Sequence, residues 1–163
     1  MPNRNIFKQS SFSLKPGVAD LEAPGFLRRL GAQFYDALLL LALWFLATAL
    51  ALPFNRGEAF SSSQWFYPLY LLLVSFIFYA WFWTHGGQTL GMRAWKIKVL
   101  DSELKPISWQ QALTRFLVAM LSWLCLGLGF IWCLIDRQHM TWHDKLSNTR
   151  LVWLVSEKPS NQE

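Results

Sequence analysis

The chain has 163 residues, enough for one domain and not comfortably two. It is 53% hydrophobic and 17% aromatic with only 15% charged residues, where soluble domains carry about a quarter, which excludes an ordinary water-soluble globule. The net charge of +5 does not point to nucleic acid, because the basic residues flank apolar runs instead of forming one patch. The ten tryptophans suit the aromatic belts at the headgroup level of a bilayer.

Met1 to Pro24 mixes Asn, Arg, Lys, Ser, Pro and Gly and lacks the apolar core of a signal peptide. It reads as a flexible, basic cytoplasmic tail. Pro24-Gly25-Phe26 is a turn, and a first apolar span follows over about Leu30 to Leu52, closed by Pro53. Arg28 and Arg29 open this span and Asp36 lies inside it. A carboxylate there costs about 2.5–3.5 kcal/mol on insertion scales, so it requires a partner. Arg29, Gln33 and Asp36 fall on one helical face. Arg29 and Asp36 are nevertheless about 10 Å apart along the axis, too far to pair unaided, so another part of the chain, or water, must complete the site.

The polar stretch Phe54 to Gln64 contains one basic residue, Arg56. A second span, about Trp65 to Trp83, holds few polar groups (Tyr70, Ser75, Tyr79) and reads as structural. The glycines at 86, 87 and 91 then suit a tight loop. Trp95, Ile97 and Val99 alternate with Lys96 and Lys98, the period of a half-buried strand. After a turn at Asp101 to Pro106, a third apolar segment covers about Trp109 to Ile135, with Arg115 near its start and Gly127 and Gly129 in its middle. The polar stretch from Asp136 leads to a second short strand at about 149–155. Cys125 and Cys133, if on one helix, are about 12 Å apart along its axis, beyond disulfide reach.

Charge asymmetry predicts a cytoplasmic N-terminus: Arg4, Lys8, Lys15, Arg28 and Arg29 precede the first span, and Arg93, Lys96, Lys98 and Lys105 follow the second. A third full span would then carry Arg137, Lys145, Arg150 and Lys158 outside, against the same rule. The third segment therefore either spans as a simple helix or breaks at Gly127 and Gly129 and returns as a helical hairpin, which would let the two strands pair on the cytoplasmic side. The expected architecture is an all-α integral membrane protein with two clear transmembrane helices, this third segment and a small cytoplasmic strand pair. The tails are expected at 1–24 and 156–163, and the membrane domain at 25–155.

The run Phe26-Leu-Arg-Arg-Leu-Gly-Ala-Gln-Phe-Tyr-Asp36, then Gly87-Gln-Thr-Leu-Gly-Met-Arg93 with its basic strand, Arg115, and His143-Asp144-Lys-Leu-Ser-Asn-Thr-Arg-Leu-Val152 resembles the RDD family of small bacterial membrane proteins. The resemblance covers about Gly25 to Val155 in order and spacing. It implies that Arg29 is the family arginine and that Asp36 and Asp144 are its two aspartates; Gly87, Gln88, Thr89, Gly91 and Arg115 match further recurrent positions. Asn148 stands where a small residue is usual. For this family the resemblance implies no settled activity, although transport, including sodium/proton exchange, is suggested for some members.

Arg29, Asp36, Arg115 and Asp144, with Gln33 and His143 as secondary members, are the candidate site. One reading is a proton- or cation-binding cluster in which Asp36 titrates and the arginines and Asp144 complete the site. The other is a buried ion-pair network that fixes helix packing. Asp136, His139 and His143 would share a face of a helix at metal-ligand spacing, but polar loops often contain such residues, so no metal is expected, and His143 is expected to cap or hydrogen-bond the Asp144 motif. The glycine loop lacks the lysine of a phosphate-binding loop. No enzyme, cofactor or nucleic-acid partner is expected. The function classes are a multi-pass inner-membrane protein that binds or moves a small ion, or a membrane adaptor or assembly factor. Expected partners are the bilayer, anionic lipid at the cytoplasmic face, and a second copy or another membrane protein.

Overall fold

The structure is a computed structural model that describes residues 22–61 and 64–154. The two expected tails, apart from Glu22 to Pro24, lie outside the described residues. The first helix, α1, covers Phe26–Ala51 and runs into a 3-10 turn at Leu52–Asn55. Pro53, in that turn, cannot continue an α-helical hydrogen-bond ladder, and Arg56 follows in the left-handed conformation. Helix α2 covers Phe66–His85. The polar side chains of these apolar helices join them: the Trp44 indole donates to Ser75 Oγ at 2.9 Å, Tyr70 donates to the Ala47 carbonyl at 3.1 Å, and Thr48 and Tyr67 share a 2.7 Å bond.

The expected glycine loop contains a short helix, α3 (Leu90–Ala94), before strand β1 (Ile97–Asp101). Thr89 caps α3 by accepting the Met92 amide proton, which is why a loop sequence holds a helical turn. Helix α4, Trp109–Leu124, starts with a reciprocal capping box between Ser108 and Gln111. The third apolar segment is not one straight span. It breaks after Leu124 and resumes as α5, Leu128–Ile131, and a 3-10 turn, Trp132–Leu134, with a 109° bend. Gly127, at φ +79°, makes the break, in a conformation that costs little only without a Cβ. Gly129 plays a different part: it lets the chain pack closely on Ser122 and Trp142. Helix α6, Trp142–Leu146, and strand β2, Thr149–Trp153, complete the chain.

Strands β1 and β2 pair antiparallel, with Val99 opposite Leu151. Ile97, Val99 and Leu151 are buried against Ala32, Met92, Ala112 and Phe116, so the sheet and α3 pack under one end of the helices and make the principal core there. Trp95, expected in the strand, is in the preceding turn. Away from that core, α1 and α2 present bare apolar faces with few buried side chains. Both are long and apolar enough to cross a membrane, and so is the bent α4–α5 pair with its 3-10 turn taken together.

Candidate functional site

Helix α6 is positioned by Thr141, whose side chain accepts the Asp144 amide proton while Asp144 Oδ2 accepts the Thr141 amide at 3.1 Å. This capping box points the Asp144 carboxylate into the protein, where the residue is completely buried. Two guanidinium groups meet it there. Arg29 of α1 donates through Nη1 to Oδ2 at 2.8 Å, and Arg115 of α4 donates through Nη1 to Oδ1 at 2.5 Å. Arg29 also donates to the carbonyls of Pro24 at 3.0 Å and His139 at 2.7 Å. Arg115 reaches Thr149 Oγ1 at 2.7 Å and lies 5.3 Å from the Trp83 ring centroid. One carboxylate thus ties α1 and α4 to α6, and Arg115 adds the start of β2.

Burial by itself would raise the Asp144 pKa, but Arg115 and Arg29 outweigh it and hold the carboxyl well below the usual carboxylate range. His143 beside it responds in the opposite sense to an ordinary surface imidazole. Burial first, and then the positive charge of Arg115, push its pKa down to about 3, so it is neutral at neutral pH. Its Nε2 is 3.9 Å from Asp144 Oδ1, and its Nδ1 is buried with no hydrogen-bond partner among the described residues. The cap of the Asp144 motif is therefore Thr141, and not His143 as expected. A Thr-x-x-Asp spacing over Thr141 to Asp144 carried that signal in the sequence; nothing local marked Thr149.

Asp36 is not part of the arginine bridge. Its Oδ2 accepts the Thr89 hydroxyl at 2.5 Å and its Oδ1 accepts the Gly91 amide at 2.9 Å. The expected arrangement, with Arg29 and Arg115 as counter-charges of Asp36, is corrected by this geometry. Two helical turns separate Arg29 from Asp36, and the start of α3 occupies the position a counter-charge would have needed. A Cβ on Gly91 would come within 2.8 Å of Asp36 Oδ1, so glycine is what allows α3 to reach α1. The rest of the motif loop secures β1: Gly87 accepts the Val99 amide at 2.7 Å, and Gln88 donates to the Ile97 carbonyl at 2.7 Å. Gln33 is half-buried between Arg29 and Asp36 and bonds to neither among the described residues.

The expected shared face of Asp136, His139 and His143 does not form, because α6 begins only at Trp142. Asp136 pairs with Lys145 at 2.5 Å. Burial opposes ionisation of Asp136, but Lys145 and the amides of Met140 and Gln138 prevail and lower its pKa. The His139 ring lies against the Cys133 carbonyl.

Arg29, Gln33, Asp36, Arg115, Thr141 and His143 all border one cavity of about 970 Å³, whose remaining walls are mainly apolar side chains of α1, α2, α4 and α5. Two apolar spans, a broken apolar pair and a buried arginine–aspartate–arginine bridge beneath them define a small helical protein of the membrane type. The model of the RDD family matches residues 23–148, and the chain belongs to that family. The matched stretch includes Arg29, Asp36, Arg115 and Asp144. No curated protein and no solved structure matches the chain.

Proposed function

We propose that this is a multi-pass inner-membrane protein that works by binding, as an adaptor or assembly factor, and neither catalyses a reaction nor exchanges ions. Its N-terminus and strand pair face the cytoplasm, in keeping with the basic residues around Arg28, Arg29 and β1. In this reading the Arg29–Asp144–Arg115 bridge is a lock that holds the helices in register. The observation that carries it is the saturation of Asp144, which is wholly buried with both oxygens accepting arginine protons. A carboxylate that loads and unloads a cation must exchange partners, and here release would strand two buried guanidinium groups. Basic side chains around the strand pair supply attraction for anionic lipid at the cytoplasmic surface.

A second reading, movement of a proton or small cation, is favoured by one feature: Asp36 borders the cavity and, among the described residues, is held by neutral donors only. The test is purified protein in sealed liposomes under imposed sodium and pH gradients. The binding reading expects no flux above protein-free liposomes. Flux that Asp36→Asn abolishes, while the variant remains folded, would overturn it in favour of the second.

A further inference from the structure

The bridge at the floor of the cavity is not balanced. Two guanidinium groups share one carboxylate, and Arg115 uses only one nitrogen, Nη1, for both of its bonds. Its Nε and Nη2 donate to nothing among the described residues, and neither is fully enclosed, although Arg115 as a whole is only 3% exposed. A charged group with two open donors at the edge of a largely apolar cavity favours an acceptor that brings its own negative charge. Arg115 borders the cavity, as does His143 with its own unpartnered Nδ1. Asp36, the acidic group on the same lining, has its oxygens engaged by Thr89 and Gly91.

Above this polar floor the walls change character. Leu41, Trp44, Phe116, Met120, Trp123 and Ile131 line the space. Helix α1 packs on α2 and α3, while α4 packs on α2 and α6, so the gap between α1 and α4–α5 remains as a groove. Leu41 and Trp123 on its rim are 47% and 69% exposed, which opens it to the surface a bilayer would cover. The volume of about 970 Å³ lies within the roughly 300–1,000 Å³ usual for small-molecule sites.

Resting on the binding reading above, we propose that this groove holds a single-chain carboxylate amphiphile, a fatty acid, with its carboxylate on Arg115 and its chain along the apolar wall between α1 and α4. A hydrophilic anion would gain nothing from that wall, and a neutral apolar molecule would leave Arg115 unanswered. The planar edge formed by Nε and Nη2 matches a carboxylate bidentately. At 3% exposure, Arg115 is reached more readily by a compact free carboxylate than by the substituted phosphate of a two-chain lipid.

The test uses the full chain in phosphatidylcholine nanodiscs, with tryptophan fluorescence quenched by dibromostearic acid. Trp44, Trp83 and Trp123 border the groove and act as reporters. Saturable quenching is expected, with the dibromostearate methyl ester weaker by about tenfold or more. Because Arg115→Gln also weakens the bridge, Ala119→Phe is the companion variant: Ala119 lines the groove one helical turn from Arg115 and takes no part in the bridge, and the larger side chain is expected to weaken quenching by a similar factor at unchanged melting temperature. Equal quenching by acid and ester, or an unaltered curve for Ala119→Phe, would overturn the proposal. So would preferential quenching by brominated phosphatidylglycerol, which would make the occupant a two-chain lipid, or a dimer by native mass spectrometry whose interface shields the groove. Ion flux in liposomes would instead remove the binding reading while leaving the quenching result as measured, so the two failures are distinct.

Discussion

At Asp144 three separated parts of the chain meet in one carboxylate, and the consequences of changing it follow from what remains behind. Asp144→Asn keeps the shape of the side chain but leaves Arg29 and Arg115 buried without a counter-charge. Breaking a buried pair from one side costs about 3–5 kcal/mol, so this variant is expected to lose that much stability in detergent, read by chemical or thermal unfolding. Combining it with Arg115→Gln should cost less than the sum of the single changes, since the second change removes a charge that the first had stranded. His143 sets a second expectation. Its folded pKa is about 3 against an ordinary 6.5, so the unfolded chain binds the extra proton between those values. The stability contributed by keeping this imidazole neutral is complete above pH 6.5 and is lost as the pH falls toward 3, with a slope of at most about 1.4 kcal/mol per pH unit. His143→Phe should remove that part of the slope in melting curves taken across the interval. Arg29, Asp36 and Arg115 stood out in the sequence as ionisable residues in or beside apolar runs, whereas Asp144, in a polar stretch, was singled out only by the resemblance to the RDD family. Their pairing was not legible: helical spacing put Arg29 and Asp36 on a common face, and only tertiary contacts gave Arg29 to Asp144 and Asp36 to Thr89.

Among the elements, α3 and the break before α5 depend most on individual residues. Gly91 sits where α3 touches α1, and Gly91→Ala would push a methyl group against the Ala32 carbonyl and the Asp36 carboxylate. Overpacking of this kind costs about 1–3 kcal/mol, and the amide of residue 91 should become more readily exchanged as its bond to Asp36 lengthens. Thr89→Val removes both the hydroxyl given to Asp36 and the acceptor for the Met92 amide, with a loss of about 1–2 kcal/mol expected from the cap. Glycine spacing announced a tight loop here and hid the helix, since the capping threonine is a polar residue that occurs in turns as readily. In the third apolar segment the same signal was more informative. Two glycines marked the break, and the structure assigns the turn to Gly127 and the close packing to Gly129, a division that depends on backbone dihedrals and neighbours that spacing cannot supply.

At the level of the whole molecule, the bonds of Arg29 to Asp144 and His139, together with β1–β2 pairing, bring the start of α1, the loop after α2 and the segment after α5 to one end of the bundle. If α1 and α2 cross a bilayer, Glu58 lies on the far side. Single cysteines at Glu103 and at Leu146, in a variant without Cys125 and Cys133, should therefore react with an impermeant thiol reagent from the same face of sealed vesicles, and one at Glu58 from the other. Labelling of residues 103 and 146 from opposite faces would mean that α4 and α5 cross completely, which is incompatible with the sheet and the bridge forming in one molecule.

Composition, apolar run length and the placement of a few charges were enough to indicate a membrane-type helical protein with two apolar spans and a strand pair, and the order and spacing of its motifs pointed to the RDD family and to the residues worth testing. Those properties are set by local chemistry: a run of apolar side chains needs an apolar environment wherever it packs, and a buried charge needs a partner. Which partner each charge takes, where the third segment bends back, and the groove left between α1 and α4 with Arg115 at its floor were decided by tertiary structure. They depend on side chains distant in sequence arriving at one place, and the spacing of residues along a chain contains no direct record of that meeting.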